Sequence, residues 1–360
     1  MRILIVCPYP HGQAPSQRFR FEQYLTALQE SGNHISIRAF FTQQAWNKLY
    51  QSHTILRLWF TFIGFTRRLA LFPILHRYNL VFIHREATPI GPPWVEWLIA
   101  KVWQKRIIYD FDDAIWLEDP DETGTLLAKL KWKKKVAAIC RWSWKVSVGN
   151  AYLADFARKT GGAQQVVINP TTIDTECVHN QLKDQEALPL RIGWTGTHST
   201  LQYLRPILPL LEHLQHTYDF EFVVISNQPP DFSLPRLQYI QWNKENEIKD
   251  LLRFHIGIMP LTDDAWSQGK CGFKALQYLS LGIPAVVSPI GVNKEIVIPK
   301  KSGHWAKSLQ EWESSLVYLL NNELLRSQMG IDGRKHVEEF FSVKSNQTNF
   351  LLLFQDAPTS

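Results

Sequence analysis

Residues 264–293, DAWSQGKCGFKALQYLSLGIPAVVSPIGVN, constrain the fold of this chain more than any other stretch. A polar, glycine-bearing loop leads into a helix with one apolar face. The helix stops at Gly282-Ile283-Pro284, a β-branched strand follows, and a second glycine turn closes the segment. Such units build parallel sheets, because two parallel strands need a helical crossover between them. They also present helix N-termini, whose N–H groups and positive dipole end suit phosphate. Lys270, Lys274 and Gln277 are spaced i, i+4, i+7, which predicts one shared helical face, with Phe273, Leu276 and Leu279 turned toward a sheet. Two lysines beside Gly269 and Gly272 suit a diphosphate; a surface crossover with a solvated basic edge fits the same pattern.

The rest of the chain repeats this grammar. Apolar runs at 2–7 (RILIVC), 34–40, 80–84, 105–110, 145–148 and 165–168 read as strands, and helical patterns lie between them. Helix 1 is predicted over Arg20–Gln29, and residues 11–20 (HGQAPSQRFR) read as a loop because Pro, Gly and Ser cluster there. A polar stretch at 179–188 reads as a linker. Strands at 190–194, 221–226, 237–241, 255–259 and 285–288 follow, with helices at 201–216, 245–252 and 273–281. The end is helical over 306–340, and 341–356 holds one more apolar helix. The organisation is a first α/β domain over 1–185, a second over 186–340 and a terminal helix over 341–360. With 360 residues, each domain can bury its own core.

Composition narrows the compartment and the partners. Cys7, Cys140, Cys177 and Cys271 are widely spaced, so they read as free thiols in a reducing compartment. The chain opens directly into a strand with no signal-peptide pattern, which points to the cytoplasm. Residues 1–185 hold 23 Lys and Arg against 15 Asp and Glu, whereas residues 186–360 hold 16 against 18. No zinc-finger, homeodomain, RNP or helix-turn-helix signature accompanies the basic half, so nucleic acid is not an expected partner. Residues 126–145 interleave Lys129, Lys131, Lys133, Lys134, Lys135, Arg141 and Lys145 with Trp132, Trp142 and Trp144. That mixture predicts an amphipathic helix on an anionic membrane surface, placing the protein at the inner face of the cell membrane. Residues 55–76 are strongly apolar but broken by Arg57, Arg67, Arg68 and Pro73, so they do not span a bilayer. They fit either a shallow interfacial helix pair or a buried layer.

Four strand-end segments carry candidate chemistry. In GWTGTHST (193–200), Gly196 permits close backbone approach, and Thr197, His198 and Ser199 lead into a helix start. Plain N-capping explains the same residues. In the 11–20 loop, Gly12 supplies flexibility and Arg18 and Arg20 supply cations able to grip phosphate. Asp110, Asp112 and Asp113 crowd three carboxylates after one strand, which is costly unless something such as Mg²⁺ or Mn²⁺ offsets it; an Asp cluster capping the next turn and helix is the plainer alternative. His84 and Glu86 end the neighbouring strand and are placed to meet a substrate hydroxyl; a structural histidine is the plainer alternative.

The 264–293 segment resembles the donor-binding segment of family 4 glycosyltransferases, which are retaining enzymes of the GT-B fold. That family carries a Glu, Gly-Phe-Gly, a second Glu eight residues after the first, and then Gly-x-Pro-Val-Val. Here Gly282, Pro284, Val286 and Val287 fix the frame, which puts Gly269 and Gln277 where the two carboxylates stand. The resemblance implies two Rossmann-like domains with mostly parallel sheets facing across a cleft, and a last helix crossing back to the first domain. It implies transfer of a sugar from a UDP- or GDP-linked donor to a glycan or lipid-linked acceptor, with retention and without a metal or other cofactor. Gly12, Arg18, Gly196, Thr197, His198, Lys270, Lys274 and Gln277 become the donor-binding set. Asp112 and Asp113 fall where the family has a His-Asp pair, and with His84 and Glu86 they become the acceptor-side catalytic set. The family's Arg after the loop glycine is replaced by Thr197. Two alternatives follow from these losses: a non-catalytic nucleotide-sugar binder or partner subunit, and an epimerase or hydrolase of the same fold.

Overall fold

A computed structural model describes residues 1–49, 53–117 and 130–355. It divides into two compact units, Met1–Thr171 with Gln347–Ser360, and Thr172–Asn346.

The first unit is built on a six-stranded sheet, β1 (Arg2–Cys7), β2 (His34–Ala39), β3 (Leu80–His84), β4 (Arg106–Phe111), β5 (Lys145–Val148) and β6 (Val166–Ile168), in the order β2-β1-β3-β4-β5-β6. The second has β7 (Leu190–Gly196), β8 (Phe220–Ser226), β9 (Leu237–Gln241), β10 (Ile256–Met259), β11 (Ala285–Val287) and β12 (Gly303–Trp305), in the order β12-β11-β10-β7-β8-β9. Every pairing between these strands is parallel. Helices cover both faces of such sheets, which is why central strands such as LVFIH and IGIM are buried along their whole length. In the second unit Trp194, Phe220, Phe222, Val224, Ile258 and Val286 share one core with helices Leu208–Thr217 and Leu309–Leu320. Burying a side chain the size of Phe222 stabilises that unit by about 2–3 kcal/mol.

Each strand order reverses once, between β1 and β3 in the first unit and between β7 and β10 in the second. At such a point the loops leaving the two strands diverge and open a crevice at their carboxyl ends. The residues that follow β1, β3, β7 and β10 are therefore the places to look for chemistry.

Four local expectations change. The predicted loop 11–20 is half helix: Pro15–Arg20 is helical, with Pro15 in the first turn. Helix 1 is correspondingly broken into Glu22–Tyr24 and Leu25–Glu30. The polar stretch 179–188 is not a free linker. Gln185 is buried, donates to the carbonyls of His255 and Gly282, and accepts from Arg326. Residues 130–145 do not form one amphipathic helix. Trp132 has φ +51°, the helix spans only Lys135–Trp142, and Lys145 opens β5. Lys135 and Lys145 are buried, so they are absent from any lipid-facing patch. Lys129 and residues 126–128 lie outside the described residues.

The C-terminal segment completes the first core. Phe350 stacks on Tyr24 with ring centroids 4.3 Å apart, Phe354 stacks on Phe82 at 5.8 Å, and Lys145 Nζ donates to the carbonyls of Leu352, Leu353 and Gln355. Among the described residues no helix is long and apolar enough to cross a membrane.

Candidate functional site

In the second unit the reversal point lies between Gly196, the last residue of β7, and the segment that follows β10. Gly196 is packed so closely that a Cβ there would lie 2.6 Å from Trp194 Cη2 and 2.8 Å from Lys274 Cε. The Lys274 stem therefore lies across the strand end, and its ammonium stands 5.3 Å from the centre of the Trp194 ring. Lys270 does not share a helical face with Lys274, because the helix begins only at Phe273. It sits in the preceding turn, with its ammonium 5.6 Å from the Tyr203 ring and 6.0 Å from the Trp266 ring. Both lysines nonetheless converge on the 194–203 segment. Aromatic faces attract such cations through the ring quadrupole.

Thr197, His198 and Ser199 are exposed beside them. Thr197 Oγ1 and Ser199 Oγ are 3.1 Å apart, and the His198 N–H is held by Asn227 Oδ1 at 2.7 Å. The strand end is fixed from beneath: the Thr195 N–H donates to the buried Tyr278 hydroxyl at 3.1 Å, and that hydroxyl donates to the Ile258 carbonyl of β10. Gly272 has φ +65°, and a Cβ there would lie 2.2 Å from Ile296 Cδ1, so the start of the Phe273–Ser280 helix needs glycine on both counts. Gln277 is 2% exposed, which turns it inward rather than along the lysine edge.

The corresponding edge of the first unit is differently built. Asp110 is buried and held by three donors: the Arg20 guanidinium, His84 Nδ1 at 2.8 Å and Ser147 Oγ at 2.7 Å. Burial pushes its carboxyl up, but Arg20 and His84 outweigh that and hold it below the usual carboxylate range. Arg85, at φ +58°, reaches over β4 and bonds Asp112 at 2.9 Å and Asp113 at 2.6 Å. Burial again opposes ionisation of Asp112, and Arg85 foremost reverses it, so this pKa too is lowered. The crowding of three carboxylates is relieved by two arginines and a histidine.

His84 is completely buried, so it orients Asp110 rather than opening to solvent. Glu86 pairs with Lys135 at 2.6 Å and stays partly exposed, as do Asp112 and Asp113. Gly12, at φ +74°, is buried, and its N–H is taken by Glu22 Oε2 at 2.8 Å. Gln17 bonds both backbone groups of Tyr9 and also Glu22, so the loop after β1 is pinned rather than loose. Arg18 lies on the short helix, half-buried, with its guanidinium 4.9 Å from the Phe19 ring.

Arg85 escapes sequence reasoning as the partner of Asp112 and Asp113, since no spacing rule announces a positive φ at that residue. Trp194 and Tyr203 escape it too, as the surfaces under the lysines. Their aromatic identity in a strand and in the following helix is the only available signal.

No family model matches the sequence, and no curated protein matches it significantly. Solved structures do. Sucrose-phosphate synthase from Thermosynechococcus elongatus superposes with TM-score 0.71 at 12% identity, covering 98% of each chain. A glycosyltransferase from Rickettsia africae gives 0.67 at 12% identity, covering 99% of each. Anabaena HepE, solved in complex with UDP and glucose, gives 0.66 at 10% identity, covering 99% of this chain and 100% of that one. Likeness at this level of identity establishes architecture. The chain has the GT-B fold, two Rossmann-like α/β units with parallel sheets.

Proposed function

We propose that this protein transfers a sugar from a nucleotide-sugar donor to a glycan or lipid-linked acceptor, with retention at the anomeric carbon. The observation that carries the reading is the convergence of Lys270 and Lys274 on Gly196 and Thr197, at the point where the strand order of the second unit reverses. A ligand at such a crevice meets strand-end backbone and helix starts. Here it would also meet two cations and exposed hydroxyls, a donor set suited to a nucleoside diphosphate. As the bond from sugar to diphosphate breaks, negative charge grows on the leaving group. Lys270 and Lys274 would receive it without a metal ion. HepE was solved with UDP and glucose, which makes a uridine diphosphate sugar the first donor to try.

The acceptor side is assigned to the first unit, to Asp112, Asp113 and Glu86, whose paired carboxylates are partly exposed. His84 and Arg20 hold Asp110 and so steady the end of β4 from within. Gly12 and Arg18 are proposed as contributors of shape and charge at the carboxyl edge of the first unit itself.

A second reading has its own support. Gly269 and Gln277 are both buried and uncharged, so neither supplies the carboxylates that the resembling family carries. A protein that binds a nucleotide sugar without turning it over fits that loss. One screen separates the readings. UDP- and GDP-sugars are titrated by calorimetry and then assayed for turnover with and without a polyprenyl-linked acceptor. Acceptor-dependent release of nucleoside diphosphate supports transfer. Binding without turnover supports the second reading, acceptor-independent release points to hydrolysis, and absence of binding removes the donor assignment.

A further inference from the structure

Helix Thr54–Leu69 of the first unit is built inside out. Its inner face carries Phe60, Gly64, Phe65 and Arg68. Gly64 lies directly against Phe40, where a Cβ would come within 2.3 Å of the ring, and Phe60 and Phe65 join the Phe40–Phe41–Ala45 cluster. Arg68 is wholly buried and donates to the carbonyls of Cys7, Arg38 and Ala87 at 2.7, 2.9 and 2.7 Å. The charged group therefore points into the protein. The opposite face carries Ile55, Leu58, Trp59, Phe62 and Leu69, exposed by 81%, 63%, 55%, 57% and 53%. Positions 55, 58, 59, 62 and 69 fall on one helical stripe, and Trp59 stacks on Phe62 with ring centroids 5.7 Å apart.

A stripe of five large apolar side chains is far beyond the scattered exposure usual on a soluble surface. Its electrostatic setting says what covers it. Residues 31–85 contain seven Lys and Arg and no Asp or Glu. Among them Arg38, Lys48, Arg57 and Arg77 are exposed, and Arg67 is partly so. An apolar stripe with Trp at its centre, in a segment whose charges are all positive, complements an anionic bilayer. There, indole rings settle at the headgroup level and arginines meet lipid phosphates.

We propose that the Ile55–Leu69 stripe is the membrane-docking face of this protein, inserting into the interfacial layer of anionic membranes. This stripe lies on a different element from the Lys131–Lys135 segment, and it does not depend on the donor reading, because no nucleotide takes part. Arg68 ties the helix to the carboxyl edge of the first sheet, the edge that carries Glu86, Asp112 and Asp113. Docking there would bring a lipid-anchored acceptor to that edge.

The test is sedimentation of the whole protein with vesicles of phosphatidylcholine alone and with about 30% phosphatidylglycerol, a composition on the order of anionic cytoplasmic leaflets. Binding is expected to be at least ~10-fold tighter to the anionic vesicles and to weaken several-fold at about 0.5 M salt. Trp59→Ser with Phe62→Ser should reduce it by at least ~10-fold, with an unchanged circular-dichroism spectrum and thermal midpoint, since both side chains are exposed. A Leu58→Cys variant in a Cys177→Ser background, labelled with an environment-sensitive dye, should report an apolar environment only with anionic vesicles. Equal binding to both vesicles, unchanged binding by the double variant, or a label that stays aqueous on bound vesicles would overturn the proposal. So would failure to bind vesicles together with a concentration-dependent dimer that the double variant abolishes, which would assign the stripe to a second copy of the chain.

Discussion

The two units place charge at the same edge of the same fold in opposite ways. In the first, Asp110, Asp112 and Asp113 are met by Arg20, His84 and Arg85, so each carboxylate has its counter-charge inside the protein. In the second, Lys270 lies over the rings of Tyr203 and Trp266, and Lys274 lies over that of Trp194, beside exposed hydroxyls. The contrast is one of how charge is held at a strand end. Charge that is neutralised internally fixes a strand end in place. Cations set against aromatic faces beside exposed hydroxyls are the pair we propose for the donor.

The largest test breaks the internal pairing. Asp110→Ala leaves Arg20 buried without its carboxylate, and chemical denaturation should show a loss of about 3–5 kcal/mol in the first unit. A loss below about 1 kcal/mol would mean that the cluster is not what holds this edge.

Lys270→Ala should behave the other way round. It is expected to cost about 2–4 kcal/mol of transition-state stabilisation in kcat/KM for the donor while the thermal midpoint stays within a few degrees. Unchanged kinetics in the folded variant would remove the lysine from the site.

Acid should separate the units next. Burial foremost, with Lys183 nearby, lowers the His255 pKa from 6.5 to about 4, and burial with Lys300 lowers that of His304. Both imidazoles are in the second unit. Each is neutral when folded and takes up a proton more readily when unfolded, so that unit loses stability as pH falls from about 6.5 toward 4. Asp110 and Asp112 have lowered pKa values, so their contribution is complete above the unfolded carboxylate value near ~4 and is lost only below it. Hydrogen exchange at stepped pH should therefore show the second unit loosening first. His255→Gln should flatten part of that slope; loosening of the first unit above pH ~5 would contradict the assignment.

Gly196→Ala is a smaller perturbation. Its Cβ would press on Trp194 and shift Lys274, raising the donor KM by about 3–10-fold with kcat nearly unchanged, a cost of about 1 kcal/mol. Chelation is expected to have the least effect. Turnover should survive EDTA, and restoration by Mg²⁺ after an EDTA loss would recast Asp110, Asp112 and Asp113 as metal ligands.

The sheets were legible because buried parallel strands must be apolar along their length, and runs such as RILIVC and LVFIH show it directly. The Gly-x-Pro turn at Gly282–Pro284 located the helix–strand crossover of the second unit in the same way. Single-residue geometry was not legible. Lys270, Lys274 and Gln277 share a helical spacing, yet the left-handed turn at Gly272 starts the helix after Lys270, and Gln277 points inward. The basic run around Lys131–Lys145 read as one surface because sequence carries no sign that Lys135 and Lys145 are each bound by backbone carbonyls in the interior. Arg68 does interrupt an apolar segment, but nothing in the sequence shows that its side chain is buried.

The three carbonyls that hold Arg68 have a mechanical consequence. A helix packed by apolar contacts alone can roll about its axis, and rolling would let Trp59 and Phe62 escape water. With its guanidinium bonded at once to Cys7, Arg38 and Ala87, the Thr54–Leu69 helix has a fixed azimuth. Any roll would strip a buried cation of its acceptors, which costs more than the exposed rings would gain. The outward set of its apolar side chains is thus locked by a polar key turned inward.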